Sequence, residues 1–141
     1  MDMTDQLSHV RLGQPPDEPL IRSFDEFKNR RAQELAEERL FVWTDGTEPV
    51  GYVTMARDGF IGHPYVEFLC VHPDYRRRGI ASTLLLHCET QHAGRRLFIS
   101  TESNNATMLA LLEARGYVGA GSVSGANRDG SDEVFFFRDL A

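Results

Sequence analysis

Residues 65–86, YVEFLCVHPDYRRRGIASTLLL, constrain the fold more than any other stretch. The first seven are apolar at nearly every position, the pattern of a strand covered on both faces. HPDY then turns the chain, and RRRG precedes a new periodicity. Ala81, Leu84, Leu85 and Cys88 recur at i, i+3, i+4 and i+7, the apolar stripe of a helix packed on a sheet. Gly94 is placed to end that helix. A buried strand that delivers its chain through a tight turn into such a helix requires a sheet with helices against it.

The remaining segments supply the other strands and helices. HVRLG (9–13) alternates apolar and polar residues and reads as a short first strand. GQPPDEP breaks the chain. In LIRSFDEFKNRRAQELAEERL the apolar residues Leu20, Ile21, Phe24, Phe27 and Leu35 begin with helical spacing. Its second part is so charged that it reads as a solvated helix or helix–loop, with Asp25, Glu26, Glu37 and Glu38 in water. LFVWTDGTEPVGYVTMARDGF reads as two strands around Asp45-Gly46, a hairpin dipeptide, and RDGFIGHP is a second turn. RRLFIS is a strand, and NNATMLALLEARG is an amphipathic helix ended by Gly116. YVGAG and DEVFFFRDL are the last two strands. The polar, glycine-rich SVSGANRDGS between them reads either as a specificity element or as a mobile connection. The Phe135–Phe137 run suits a strand buried on two faces, or one face at a dimer or substrate surface.

The fold class expected is therefore α/β (α+β), with a mixed, mostly antiparallel sheet of six to seven strands and helices on both faces. At 141 residues, positions 1–141 make a single domain by length.

Composition narrows the function. Fifteen basic residues against twenty-one acidic ones give a net charge of −6, which argues against nucleic-acid binding through a broad basic face. No stretch has membrane-spanning length and no signal-peptide pattern opens the chain, so a cytoplasmic protein with no membrane partner is the expectation. Cys70 and Cys88 lie in apolar runs without CxxC spacing and read as buried free thiols. His63, His72, His87 and His92 lack metal-ligand spacing, so no metal is expected.

Against this acidic background Arg76, Arg77 and Arg78 stand directly before a helix start. The first N–H groups of a helix have no intrahelical partner, and the dipole makes that end positive. Such a start binds anions, phosphate above all. Gly79 admits close backbone approach and Ala81 keeps the wall shallow. The P-loop pattern would need a lysine that this stretch lacks, and the dinucleotide fingerprint would need two more glycines. Taken alone, the three arginines would be a solvated charge run. At a helix start, with Gly79 and Ala81 beside them, they read as a pyrophosphate site.

RRRGIA resembles the Q/R-x-x-G-x-G/A signature of the GNAT superfamily of acetyl-CoA-dependent N-acetyltransferases, with Arg76, Gly79 and Ala81 at the signature positions. NATMLALLEARGY, from Asn105, resembles that family's N-x-x-A-x-x-L-Y-x-x-x-G-F element. The resemblance covers residues 40–118 and includes the order of strands and helices. It implies an enzyme with acetyl-CoA as cosubstrate and an amine acceptor as partner. Backbone groups of Leu69, Cys70 and Val71 would pair with the pantetheine arm like an added strand. N–H groups from Arg77 and Arg78 through Gly79, Ile80 and Ala81 to Ser82 would hold the pyrophosphate. Asn105 would hydrogen-bond the pantetheine, and an N–H near Leu69 would stabilise the oxyanion.

Glu67 is the candidate base, a carboxylate in an otherwise apolar strand. The alternative is a Glu67 paired with an arginine or facing an open edge. The family's tyrosine acid falls at Leu112, and its alanine at Met108. That leaves Tyr117, Tyr75 and Tyr65 as phenols to consider, or thiolate departure through water. A module that binds acetyl-CoA without turnover, and transfer from a longer acyl-CoA, are the other readings. A homodimer is the prior for oligomeric state.

Overall fold

The computed structural model describes residues 3–27 and 31–141. Its helices are α1 (Met3–Leu7), α2 (Glu18–Arg22), α3 (Arg31–Ala36), α4 (Ile80–Gln91) and α5 (Ala106–Ala114). Its strands are β1 (Val10–Leu12), β2 (Leu40–Asp45), β3 (Glu48–Phe60), β4 (His63–Val71), β5 (Arg96–Glu102), β6 (Val118–Val123) and β7 (Glu133–Asp139). The seven strands hydrogen-bond in the order β1-β2-β3-β4-β5-β7-β6. The β1–β2, β2–β3, β5–β7 and β6–β7 ladders are antiparallel, and β4–β5 is parallel. The chain forms two compact units, Met1–Ala56 with Glu67–Gln91, and Arg57–Val66 with His92–Ala141.

In the first unit, β2 pairs with β3 so that Val42 opposes Tyr52 and Trp43 opposes Gly51. Side chains alternate across a strand, so these two pairs face opposite ways. Leu40, Val42 and Tyr52 pack with Ile21, Phe24 and Leu35 from the α2–α3 side. Phe41 on the other face meets His87 of α4 at 4.4 Å between ring centroids. Helices thus cover both faces of this unit's strands. Trp43 packs as well, stacked on His9 at 4.4 Å.

The charged α2–α3 segment departs from expectation. Arg31, Glu34 and Asp25 are buried. Charge density predicted solvation, but the charges neutralise one another. Arg31 Nε lies 2.8 Å from Glu34 Oε1 and 3.7 Å from Asp25 Oδ2. Arg31 also donates to the Tyr52 hydroxyl (2.8 Å), which donates to Asp25 Oδ1 (2.5 Å). Buried charges survive when paired and hydrogen-bonded in this way. Residues 28–30 of the expected helical stretch lie outside the described residues.

In the second unit, β5 pairs in parallel with β4 at Tyr65↔Phe98 and Val66↔Ile99. It pairs antiparallel with β7 along its whole length, from Arg96↔Asp139 to Glu102↔Glu133. Leu97, Ile99 and Thr101 are buried while Phe98 and Ser100 between them are half-buried. β6 lies at the edge, exposed throughout. The second hairpin turns at Ile61-Gly62, both at positive φ (52° and 82°), while Asp58-Gly59 runs on inside β3. The continuous burial expected along β4 is limited to Pro64, Val66 and Cys70, and residues 67–69 are half-buried.

Gly51 fixes how α4 begins. A Cβ there would lie 2.9 Å from Ile80 Cγ2 and 3.3 Å from Leu84 Cδ1. Ile80 is buried and its Cγ2 sits one bond from a branched Cβ, so it cannot swing aside cheaply. Gly51→Val should therefore destabilise the fold by about 1–3 kcal/mol through overpacking. Urea unfolding checks this, and an unchanged midpoint would contradict the close approach.

Candidate functional site

The segment from the end of β4 to the start of α4 is fixed by its own side chains. His72 N–H donates to Val50 O at 2.8 Å, tying the strand exit to β3. His72 Nδ1 accepts from Asp74 N–H at 3.0 Å and caps the turn Pro73–Tyr75. The Tyr75 hydroxyl donates to Asp45 Oδ2 at 2.9 Å, anchoring the turn to the end of β2. That bond raises the Tyr75 pKa and commits its proton to Asp45.

Arg77 has φ +64° and Gly79 has φ +78°, while Arg78 between them is not at positive φ. Two positive φ values within three residues turn the backbone sharply into the helix start, and main-chain N–H groups in a turn of this kind can cup an anion. Gly79 O accepts from Thr83 N–H (3.0 Å) and Thr83 Oγ1 (2.8 Å), so the helix begins there. The N–H groups of Ile80, Ala81 and Ser82 consequently have no intrahelical acceptor. A Cβ on Gly79 would meet no protein atom within 4 Å. The space in front of this helix start is open to a ligand, and the glycine answers to φ rather than to crowding.

The three arginines differ. Arg76 pairs with Glu26, and its Nε reaches Val71 O at 3.4 Å. Arg78 lies over the Tyr75 ring at 4.8 Å. Arg77 is exposed and makes no ion pair among the described residues. Leu69 and Val71 are half-buried at the end of β4, and Cys70 is buried. All three follow Val66, the last β4 residue in the ladder with β5.

Glu67 is paired with Arg39, the arrangement that competes with a free base. Its side chain is 29% exposed. Arg39 also donates to Met55 O (3.0 Å) and to Glu37 Oε1 (2.9 Å), so it is held in place from three directions. Behind it, burial pushes the Glu34 carboxyl up, and Arg31 and Arg39 pull it back. Sequence reasoning did not single out Arg39, Arg31 or Glu34. Their charge gave no signal because pairing and packing, not residue type, set them apart.

Asn105 caps α5: its Oδ1 accepts from Met108 N–H at 3.1 Å. Its Nδ2 has no partner among the described residues. Leu112 is fully buried, so a residue at this position packs in the core. Of the phenols, Tyr117 is buried, and the Tyr65 hydroxyl is 2.6 Å from Ser100 Oγ. The loop between β6 and β7 closes on itself: Gly125 N–H donates to Asp132 Oδ1 (3.0 Å), and Asn104 Nδ2 from outside it donates to Asp129 Oδ2 (3.0 Å). Among the described residues no His, Cys, Asp and Glu cluster has metal-binding geometry, and no helix is long and apolar enough to cross a membrane.

Neither cysteine is in a disulfide, and both are buried. Burial pushes Cys70 up to about 11 and raises Cys88 further. At pH 8, on the low side of that value, Cys70 is thiolate in only about one molecule in a thousand, and the thiolate is the reactive form. Disulfide-exchange reagents should label the folded protein at least about a hundredfold more slowly than the urea-unfolded one. Equal rates would refute the burial of both side chains.

The sequence profile of the Acetyltransferase (GNAT) family matches residues 4–117. Among solved structures, a GNAT-family acetyltransferase from Bacillus cereus aligns with a TM-score of 0.79 and 22% identity, over 94% of this chain and 96% of its own. The ribosomal-protein-S18-alanine N-acetyltransferase from Escherichia coli aligns at 0.75 and 19% identity, over 94% and 93%. The NatC complex bound to Gag peptide and CoA aligns at 0.77 and 17% identity, over 94% and 98%. At these identities the structural likeness establishes the fold.

Proposed function

The chain belongs to the GNAT acetyltransferase family, and from that premise we propose that it moves an acetyl group from acetyl-CoA to a primary amine by direct attack in a ternary complex. The observation that carries this reading is the helix start at Gly79. Arg77 and Gly79 stand at positive φ directly before the helix, and a Cβ on Gly79 would meet nothing within 4 Å. A pyrophosphate suits that cradle, because main-chain donors at a helix N-terminus need no charged side chain to bind an anion.

Acetyl-CoA supplies an activated carbonyl: a C–N bond forms, the C–S bond breaks, and sulfur leaves with the electron pair and is then protonated. The chain's own residues would act around that exchange. The N–H groups of Gly79, Ile80, Ala81 and Ser82 bind the pyrophosphate, with Arg77 and Arg78 adding charge. Leu69, Cys70 and Val71 offer main-chain groups to the pantetheine arm. A main-chain N–H near Leu69 donates to the carbonyl oxygen as charge builds there. Glu67 accepts the proton that the ammonium must lose, and Arg39 holds its carboxylate in one orientation.

Leu112 favours a second reading, a module that binds acetyl-CoA without turnover. It is buried where the family's motif places a tyrosine, so no acid acts from that position. Incubation with acetyl-CoA and a broad amine panel, with free thiol as readout, separates the two. Thiol release above background supports transfer; tight CoA binding with none supports the module.

Gly79→Val should weaken CoA binding by about a hundredfold or more, because a β-branched residue strongly resists φ +78° and the cradle is lost. Arg77→Ala should weaken it by about tenfold or less. Calorimetric titration with CoA measures both, and the reverse ranking would sink the main-chain account. Glu67→Gln should lower kcat by about a hundredfold with little change in KM for acetyl-CoA. A kcat equal to wild type across pH 6–9 would remove Glu67 from the base role.

A further inference from the structure

The second unit carries a face of its sheet that the cosubstrate reading leaves unused. Phe98, Phe135 and Phe137 share it, since Phe98 opposes Phe137 and Ser100 opposes Phe135 in the β5–β7 ladder. Phe60 lies among these rings, 4.7 Å from Phe98, 5.4 Å from Phe135 and 5.5 Å from Tyr65. None of the five rings is fully buried. Across from Phe135, β6 places Gly121, where even a Cβ would meet nothing within 4 Å. The flank of the Phe135 ring is therefore open.

Polar groups at one end give this face a sign. Ser100 Oγ donates to Glu133 Oε2 at 2.6 Å, and Asn127 Nδ2 donates to Glu133 Oε1 at 3.1 Å. The Tyr65 hydroxyl joins the same chain through Ser100. Both Glu133 oxygens are thereby fixed in place, yet no basic side chain pairs with Glu133 among the described residues. Glu102 stands directly across the ladder from it. Opposed carboxylates in an antiparallel pair repel each other, and a cation between them relieves the repulsion. At the other end Arg96 already lies over the Phe137 ring at 4.2 Å. The face accepts a cation there, as electron-rich ring faces do.

We propose that this face binds a primary ammonium carried on an aromatic body: the ring lies against Phe60 and Phe135, and the ammonium is held by Glu133. The proposal rests on the acetyl-transfer reading for its purpose, since it names the acceptor class as an arylalkylamine. It excludes acceptors with a carboxylate close to the amine, which Glu133 and Glu102 repel.

The test is calorimetric titration of 2-phenylethylamine into the full chain and into Glu133→Gln. Glutamine keeps the shape and can still accept from Ser100, so the change removes the charge and leaves the fold. Binding to wild type that weakens about tenfold or more in Glu133→Gln supports the proposal. Phe135→Leu, as a second variant, should weaken it several-fold, and 3-phenylpropionate should not bind. Equal binding by Glu133→Gln, no binding to wild type at millimolar amine, or binding of 3-phenylpropionate overturns it. So does a dimer in sedimentation that Phe135→Leu splits, because this face would then belong to a second copy. The two readings fail separately. Charge-dependent amine binding without thiol release leaves the site and defeats acetyl transfer. Thiol release with amines, indifferent to Glu133→Gln and Phe135→Leu, defeats only the site.

Discussion

The first unit depends on how closely α4 can begin against β3. Gly51 removes the side chain that would hold Ile80 off the strand. The turn after β4 then has little length in which to deliver the chain. It does so with Pro73–Tyr75, tied at His72 to Val50 and at Tyr75 to Asp45, followed by positive φ at Arg77 and Gly79. Orientation of the first N–H groups of α4 follows from that path. The helix start is held by packing on one side and by the positive-φ turn on the other.

Charge in this unit serves two ends. Arg31, Asp25, Glu34 and Tyr52 are sealed away, and their pairing costs desolvation that only close hydrogen bonds offset. Removing one member leaves another unpaired, so the cluster fixes the α2–α3 segment more than it stabilises it. Burial raises the Tyr52 pKa first and its bond to Asp25 raises it further, so the phenol stays neutral there. Arg39 connects this region to Glu67. By contrast, the exposed pair of Arg76 with Glu26 is screened by water and is worth at most about 1 kcal/mol. Local backbone geometry, not the sum of basic charge, therefore distinguishes this helix start.

Legibility in the sequence followed locality. The β4–α4 unit was readable because its apolar run, its single glycine and its helical stripe are all decided within twenty residues or so. The same holds for the hairpin at Asp45-Gly46. The burial of Arg31 and Glu34 was not readable: their mutual pair is local, but the Tyr52 hydroxyl that receives Arg31 lies 21 positions away. The second turn was readable only as the stretch RDGFIGHP, within which the chain turns at Ile61-Gly62 while Asp58-Gly59 stays in β3. Glu133 gave no sign at all. Its meaning comes from Ser100, thirty-three residues away, and from which Phe residues share its face.

The central claim is that main-chain N–H groups at the start of α4 receive the cosubstrate's phosphates. Amide-resolved NMR during titration with CoA tests it most directly. The account predicts that the amide resonances of Gly79, Ile80, Ala81 and Ser82 move most, and that they still move in Arg77→Ala. CoA binding that leaves those four amides unmoved would contradict it.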